Sequence, residues 1–289
     1  MKVSFILNSS KRRARDIACE INNYHTTLDW EILETERPGH AIELASLASA
    51  NDRMVVAVGG DGTVNECVNG LMLGDSRQFA VLPIGTGNDF VRTFEQAASV
   101  GQLFHLLENP KFKKVDVIKI VSGETVEYGM NIADAGIGSQ AVVNLNKMPS
   151  WMGSKLRYTC AIAKTLLTAR NVDLECHSDH WSWKGKAKII AAANGKFFGS
   201  GLAIAPSADP SDGLLDITIV GDIGVMEYFR QVGKLRRGEP LTIPQVKYFK
   251  APWIELKGDC QMEKDGELSV HLPSRLEIVP DALSILEVD

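Results

Sequence analysis

The stretch Val55-Val56-Ala57-Val58 runs directly into Gly59-Gly60-Asp61-Gly62-Thr63, and a helical pattern follows from about Val64 to Leu73. An apolar, mostly β-branched run with no polar face is the pattern of a strand buried on both sides of a parallel sheet. Glycines placed right after such a strand permit positive φ and close approach of a ligand, while the N–H groups of a helix start supply partial positive charge for an anion. The stretch therefore reads as a phosphate-binding turn. Asp61 repels phosphate by itself; it makes sense where a divalent cation bridges it to phosphate oxygens, since Mg²⁺ takes one or two carboxylates together with phosphate.

The same arrangement returns where Phe79 to Pro83 leads into Ile84-Gly85-Thr86-Gly87-Asn88-Asp89-Phe90. Ahead of both, Val3 to Leu7 reads as a first strand, and Asn8-Ser9-Ser10-Lys11-Arg12 as a polar turn opening a helix through Tyr24. Leu28 to Leu33 reads as a second strand, followed by a loop punctuated by Pro38 and Gly39 and a helix over Ala41 to Ala50. This βαβα alternation predicts right-handed crossovers and a mostly parallel sheet, which binds ligands at the C-terminal ends of its strands. Ser9 or Ser10 also suits a plain helix cap, and His40 a cap or surface position. One glycine turn is weak evidence, because glycine serves ordinary C-caps and tight turns. Two in register, each with an Asn and an Asp, point to one ligand held from two sides.

At 289 residues the chain exceeds the usual size of a single domain. The character changes near Lys111, so the expected division is an α/β nucleotide-binding unit over 1–120 and a β-rich unit over 121–279, with the tail 280–289 returning to the first. Hydrophobic residues make up 45% and charged residues 23%, which supplies a sizeable core and argues against wholesale disorder. A net charge of −5 argues against general nucleic-acid binding, although Lys234-Leu235-Arg236-Arg237 forms a local basic cluster. The five scattered cysteines include no CxxC pair, as in a reducing compartment. Met1 to Asn8 is too short in its apolar part for a signal peptide, and no stretch approaches the roughly eighteen apolar residues of a membrane span. The expectation is a cytoplasmic protein, transiently at the membrane surface through peripheral contact.

In the second half, Phe112 to Val121 and Glu127 to Ile132 alternate in the manner of antiparallel strands, and Asn131 to Gly138 reads as a glycine-containing junction. A helix over Lys155 to Arg170 carries Leu156, Cys160, Ala163 and Leu167 at helical spacing, a stripe expected to face the core. His180 to Trp183 and Ala187 to Ala193 flank Lys184-Gly185-Lys186, a hairpin by pattern. Cys176, His177, Asp179 and His180 match no closed zinc set. Ala205 to Gly213 is a rigid acidic loop ahead of a strand at Leu214 to Val220. Oxygen ligands from Asp212, Asp209 and a nearby carbonyl suit a hard cation there, and turn chemistry by Asp and Pro is the open alternative. A helix over Val225 to Arg237 ends in the basic cluster. Strands at Tyr248 to Phe249, Trp253 to Leu256 and Gln261 to Lys264 lead to Asp265-Gly266-Glu267. Asp-Gly is a strong hairpin-turn signal that accounts for the first two residues and leaves Glu267 unexplained. Strands at Leu276 to Val279 and Ser284 to Val288 close the chain.

The glycine turns lack Gly-x-x-x-x-Gly-Lys-Ser/Thr and Gly-x-Gly-x-x-Gly, so neither a Walker P-loop nor a dinucleotide-dependent dehydrogenase is supported. Phosphoryl transfer needs charge neutralisation, positioning and a carboxylate near the acceptor hydroxyl, and these pieces can supply all three. Taken together, Gly59 to Thr63 with Asn65-Glu66, Leu82 to Phe90, Asp212-Gly213-Leu214-Leu215-Asp216 and Asp265-Gly266-Glu267 resemble the catalytic domain of diacylglycerol kinases, with the stand-alone bacterial lipid kinases nearest. The blocks stand in the family's order across nearly the whole chain.

The resemblance implies ATP-dependent phosphorylation of a lipid hydroxyl by an N-terminal α/β domain of the NAD kinase and diacylglycerol kinase type and a C-terminal β-sandwich-like domain, with the active site in the cleft between them. It implies that Asn8, Ser9, Ser10, Lys11, Arg12, Thr35, Gly59, Gly60, Asp61, Gly62, Thr63, Val64, Asn65, Glu66, Thr86, Asn88 and Asp89 surround ATP, with Asp61 acting through Mg²⁺. Glu267, with Asp265 beside it, would be the general base, and Asp209, Asp212 and the Leu214 carbonyl would hold a structural Mg²⁺. The implied partners are a lipid substrate and a membrane surface, with no nucleic acid and with a homodimer left open. Departures are mild: Asn8-Ser9-Ser10-Lys11 replaces a more frequent Asn-Pro turn, Gly85-Thr86-Gly87-Asn88 a Gly-Thr-Ala-Asn, and Gly199-Ser200-Gly201 a triple glycine. An NAD kinase shares the Gly-Gly-Asp-Gly-Thr turn, but its Thr-Pro-Thr-Gly-Ser motif is absent; a catalytically silent nucleotide-binding module would have no need of Glu267.

Overall fold

Strands that are apolar on both faces must be covered on both, and the N-terminal third of the chain supplies the covering helices in alternation with them. The computed structural model describes residues 1–8, 12–85, 87–94, 96–149 and 152–288. It divides into two compact units, Met1–Val117 with Pro280–Asp289, and Ile118–Val279.

In the first unit the elements are β1 (Lys2–Leu7), α1 (Arg12–Asn22), β2 (Asp29–Glu34), α2 (His40–Ala50), β3 (Met54–Gly59), α3 (Asp61–Leu71), β4 (Gln78–Pro83), α4 (Asp89–Thr93), α5 (Val100–Glu108) and the start of β5 (Phe112–Ser122). The strand order β2-β1-β3-β4 is parallel throughout, and Ser284 and Ile285 of the chain's last strand align parallel with Gln78 and Phe79. Every residue of β3 is buried, as the Val55 run requires. Val56 and Val58 pack with Ala14 and Ile21 of α1 and with Leu103, Phe104 and Leu107 of α5. Val55 and Ala57 point the other way along the pleat, and α2 and α3 pack against that strand. These two helices approach so closely that a methyl group on Gly70 would lie 2.3 Å from the Ile42 carbonyl oxygen.

The second unit contains β6 (Thr125–Gly129), β7 (Ile132–Gly136), α6 (Ile137–Asn146), α7 (Ser154–Thr168), β8 (Val172–His177), β9 (Ser182–Ala187), β10 (Ile189–Ala193), β11 (Phe197–Phe198), β12 (Leu202–Ala203) and β13 (Leu215–Val220). It continues with α8 (Val225–Arg236), β14 (Val246–Ala251), β15 (Trp253–Gly258), β16 (Gln261–Lys264), β17 (Glu267–His271) and most of β18 (Ser274–Leu286). One antiparallel sheet runs β14-β13-β10-β7-β16-β17; a second set pairs β18, β15, β8 and β9, with β5 joined to β18 and β6. Ile190, Ala192, Ile217 and Met262 of the first sheet meet Ile118, Leu174, Ile254 and Leu276 of the second in one apolar core. The unit is a β-sandwich.

Several local expectations are corrected. Lys184-Gly185-Lys186 lies within β9, paired with Glu175, Leu174 and Asp173 of β8, and the reversal falls earlier, where Ser178 N–H donates to the Trp181 carbonyl at 2.9 Å. Gly185 is there because the Trp183 ring lies over it, with 3.1 Å left for a Cβ. In the expected stripe of α7, Leu156 is 53% and Leu167 74% exposed and Cys160 is half-buried, while the Ala163 side chain lies outside the described residues. That helix instead buries Ala161 and Thr165, whose hydroxyl accepts from Asn144 of α6 at 2.8 Å. The junction after Asn131 is followed by α6, a helix the sequence did not announce. α3 starts at Asp61 rather than Val64, and the last two expected strands are the single strand β18.

Candidate functional site

In the first unit, the register of the parallel sheet brings the proposed nucleotide residues to one edge. Leu7 aligns with Glu34 on one side and Val58 on the other, and Gly59 with Pro83. Asn8, Thr35, Gly60 and Ile84 therefore follow the C-terminal ends of four adjacent strands. Thr35 N–H donates to the Leu7 carbonyl at 2.8 Å and Ile84 N–H to the Gly59 carbonyl at 2.9 Å. Connections leave β1 toward β2 and β3 in opposite directions, which makes this edge the switch point at which open α/β sheets bind ligands.

The two glycine loops touch. A Cβ on Gly85 would lie 2.6 Å from the Gly60 Cα, so any side chain at that position would force the loops apart. Asp61, in the first turn of α3, ties them together. Its Oδ2 accepts from Asn88 N–H at 3.0 Å and its Oδ1 from Asp89 N–H at 3.1 Å. Asn88 closes the second loop on itself through Nδ2 to the Gly85 carbonyl, 3.0 Å, and adopts a left-handed φ of 50°. Glu66 turns away from the phosphate side: its oxygens accept from Gly39 and Ala41 N–H at 3.0 and 3.1 Å, securing the start of α2. Val64 and Asn65 are buried, Gly62 and Thr63 are partly exposed at the helix start, and Arg12 is exposed at the start of α1. Ser9, Ser10, Lys11 and Thr86 lie outside the described residues.

In the second unit the acidic loop performs turn chemistry. Asp209 Oδ1 accepts from Ser211 N–H at 3.1 Å, and Asp212 Oδ1 accepts from Leu214 N–H at 3.0 Å, both closing turns two residues on. The remaining charge is met by Lys250, whose Nζ lies 2.9 Å from Asp212 and 3.0 Å from the buried Asp216. An ammonium already occupies the position from which Asp212 would bind a cation, so Asp209, Asp212 and Leu214 do not fit a structural Mg²⁺ as arranged. No cluster of three His, Cys, Asp or Glu with metal-binding geometry occurs among the described residues.

The Asp265-Gly266 turn joins β16 to β17 as a two-residue hairpin, with Lys264 opposite Glu267 and both turn residues at positive φ, 49° and 90°. That geometry is why Asp-Gly stands there. Asp265 does more than turn the chain. Its carboxylate accepts from Met130, Asn131 and Ile132 N–H at 2.7, 2.9 and 3.0 Å, which fixes the turn on the β6–β7 connection. This is the work of an anchor. Glu267 is exposed at the start of β17.

Two buried acids next to this turn escaped the sequence reading. Asp134 of β7 sits directly opposite Glu263 of β16, and their exposures are 0% and 7%. Burial pushes the Asp134 carboxyl up to about 6, and burial together with Asp134 pushes Glu263 well above the usual carboxylate range. Glu263 Oε1 also accepts from Gly266 N–H. The available signal was an aspartate inside the apolar run Ile132-Ala133-Asp134-Ala135, where an unpaired charge has no place.

Residues 2–120 match the family model described as the diacylglycerol kinase catalytic domain, and residues 131–287 the model described as the YegS C-terminal NAD kinase β-sandwich-like domain. A protein of Staphylococcus aureus strain MSSA476, named "Putative lipid kinase", is 30% identical over 238 residues, which cover 80% of this chain and 76% of that one. A crystal structure from Bacillus anthracis, described as that of a "putative diacylglycerol kinase", has a TM-score of 0.78 at 23% identity over 99% of this chain and 97% of the other. An NAD kinase from Archaeoglobus fulgidus in complex with ATP has a TM-score of 0.56 at 12% identity over 100% and 94%. At these identities the two structures share the fold.

Replacing Asp265 with Ala strips three backbone N–H groups of their acceptor and is expected to cost about 3 kcal/mol of stability, measured by urea unfolding. Unchanged stability would remove the anchor.

Proposed function

The chain belongs to the diacylglycerol kinase catalytic-domain family, with a YegS-type C-terminal domain, and we propose that it transfers the γ-phosphate of ATP to a lipid hydroxyl. The observation that carries this reading is the exposed Glu267 on a turn fixed from behind by Asp265. A module that only binds nucleotide has no use for a carboxylate held in this way.

The first unit provides the nucleotide side. Backbone N–H groups at the start of α3 receive phosphate oxygens, and Asp61 keeps the second glycine loop in contact with this turn while they do. Mg²⁺, when bound through Asp61, neutralises charge on the phosphates. The second unit provides the acceptor side, with Glu267 taking the proton of the lipid hydroxyl as its oxygen bonds to the γ-phosphorus. The bond from that phosphorus to the β-phosphate oxygen breaks, and ADP leaves with the electron pair. Diacylglycerol or a closely related lipid is the acceptor this reading favours. The shared fold of an NAD kinase makes NAD the rival acceptor.

A lipid acceptor has to be reached at a membrane, and no helix among the described residues is long and apolar enough to cross one. The α8 helix offers a docking face instead. Met226 and Phe229 are 70% and 62% exposed, and the same side of the helix carries Arg230, Lys234, Arg236 and Arg237. Bulky apolar groups ringed by cations match the surface of an anionic bilayer.

With ATP and Mg²⁺, the purified protein is expected to phosphorylate one of diacylglycerol, phosphatidylglycerol or a sphingoid base in mixed micelles and to leave NAD unmodified; product on NAD alone would overturn the proposal. Substituting Phe229→Ser, Arg230→Gln and Lys234→Gln together is expected to weaken binding to anionic vesicles by at least about tenfold in a sedimentation assay. Equal binding by this variant would dismiss α8 as the docking face.

A further inference from the structure

The reaction proposed above makes no use of Asp134 and Glu263, two acids buried in the second unit. They stand directly opposite each other across the β7–β16 ladder, both buried, close enough that each alters the other's carboxyl, and the Gly138 N–H also acts on Asp134. Neither Asp134 oxygen receives a well-aligned donor from the described residues. A carboxylate only accepts hydrogen bonds, so two of them in contact in a dry site need a proton between them. The surroundings are built around this contact. A Cβ on Gly138, at the start of α6, would lie 2.0 Å from Asp134 Oδ2, so only glycine leaves the carboxyl its space.

We propose that Asp134 and Glu263 share one proton and together position the turn that presents Glu267. Because Oε1 of Glu263 accepts from Gly266 N–H, its other oxygen is the one to carry the shared proton. Its protonated oxygen donates to Asp134, while Oε1 accepts from Gly266 N–H, the residue between Asp265 and Glu267. The turn is thereby gripped at two points, by Asp265 on the β6–β7 connection and by Glu263 at its own tip. The titratable groups facing the pair are Asp265 and the Cys260 thiol, which burial holds up at about 11, and neither supplies a positive charge. Loss of the shared proton leaves two adjacent anions, and their repulsion draws Glu263 off the Gly266 amide. The catalytic consequence rests on Glu267 being the base; the shared proton and the grip on the turn do not.

Three readouts on the full chain test this. Infrared spectroscopy at neutral pH is expected to show the carbonyl stretch of a protonated carboxylic acid that Glu263→Gln removes. Amide exchange at Gly266 is expected to be about tenfold faster in Glu263→Ala and close to wild type in Glu263→Gln, because glutamine accepts from Gly266 through its oxygen and donates to Asp134 through its nitrogen. Asp134→Ala, which keeps the Glu263 acceptor and removes the repulsion, is expected to leave Gly266 exchange close to wild type. In stability against pH, a folded-state value raised above the unfolded one gives a contribution that is complete below about pH 4 and is lost as pH rises through the value near 6 of Asp134 and beyond. Glu263→Gln should flatten that slope. Absence of the acid band in the wild type, or equal Gly266 exchange in the wild type and Glu263→Ala, would overturn the proposal. If the band and the exchange pattern hold while no lipid is phosphorylated, the acid pair stands and the kinase reading falls. If a lipid is phosphorylated, Glu263→Ala should lower kcat about tenfold with KM for ATP unchanged, and Glu263→Gln should restore it; equal loss in both variants would overturn the positioning role.

Discussion

Loops rich in glycine expose backbone N–H groups that a fold has to satisfy, and this chain satisfies them with carboxylates. Asp61 takes two N–H groups from the opposite glycine loop, Glu66 two from the start of α2, and Asp265 three from the β6–β7 connection. Asp116 does the same for Asp281, at 2.9 Å. An ionised acceptor forms stronger bonds than a neutral one and carries no donor that would compete. Each of these acids reaches a segment distant in sequence, so the loops that carry function are fixed by a small number of charge-assisted contacts rather than by packing alone.

That economy explains which parts of the molecule were legible in the sequence. The strand at Val55 to Val58, the parallel alternation around it and the Asp265-Gly266 hairpin were readable, because burial on both faces and paired positive φ values restrict residue choice at each position itself. The acids were recognisable as important and were harder to assign. Asp61, Glu66 and Asp265 look alike as isolated carboxylates near glycines, and only the partner loop shows which backbone segment each of them anchors. The loop at Asp209 and Asp212 read equally well as a cation site until Lys250, distant in sequence, was found against Asp212. The expected stripe of α7 misled for a related reason. Helical spacing identifies a face, and which face is buried depends on the neighbour, here α6 through Asn144 and Thr165.

Gly-Gly-Asp-Gly-Thr began as a generic phosphate turn. It touches the second loop through Gly60 and Gly85, and its aspartate is the strut between the two loops. The fold is shared with an NAD kinase, so the sheet and its glycine loops by themselves leave the acceptor open.

The most direct test of the account is single-turnover transfer from ATP to the lipid acceptor by Glu267→Ala, with the ATP dissociation constant measured on the same variant. A base that acts on the acceptor predicts a loss of transfer of about a hundredfold to ten-thousandfold with ATP affinity retained. Transfer at the wild-type rate, or a loss explained by weakened ATP binding, would contradict it.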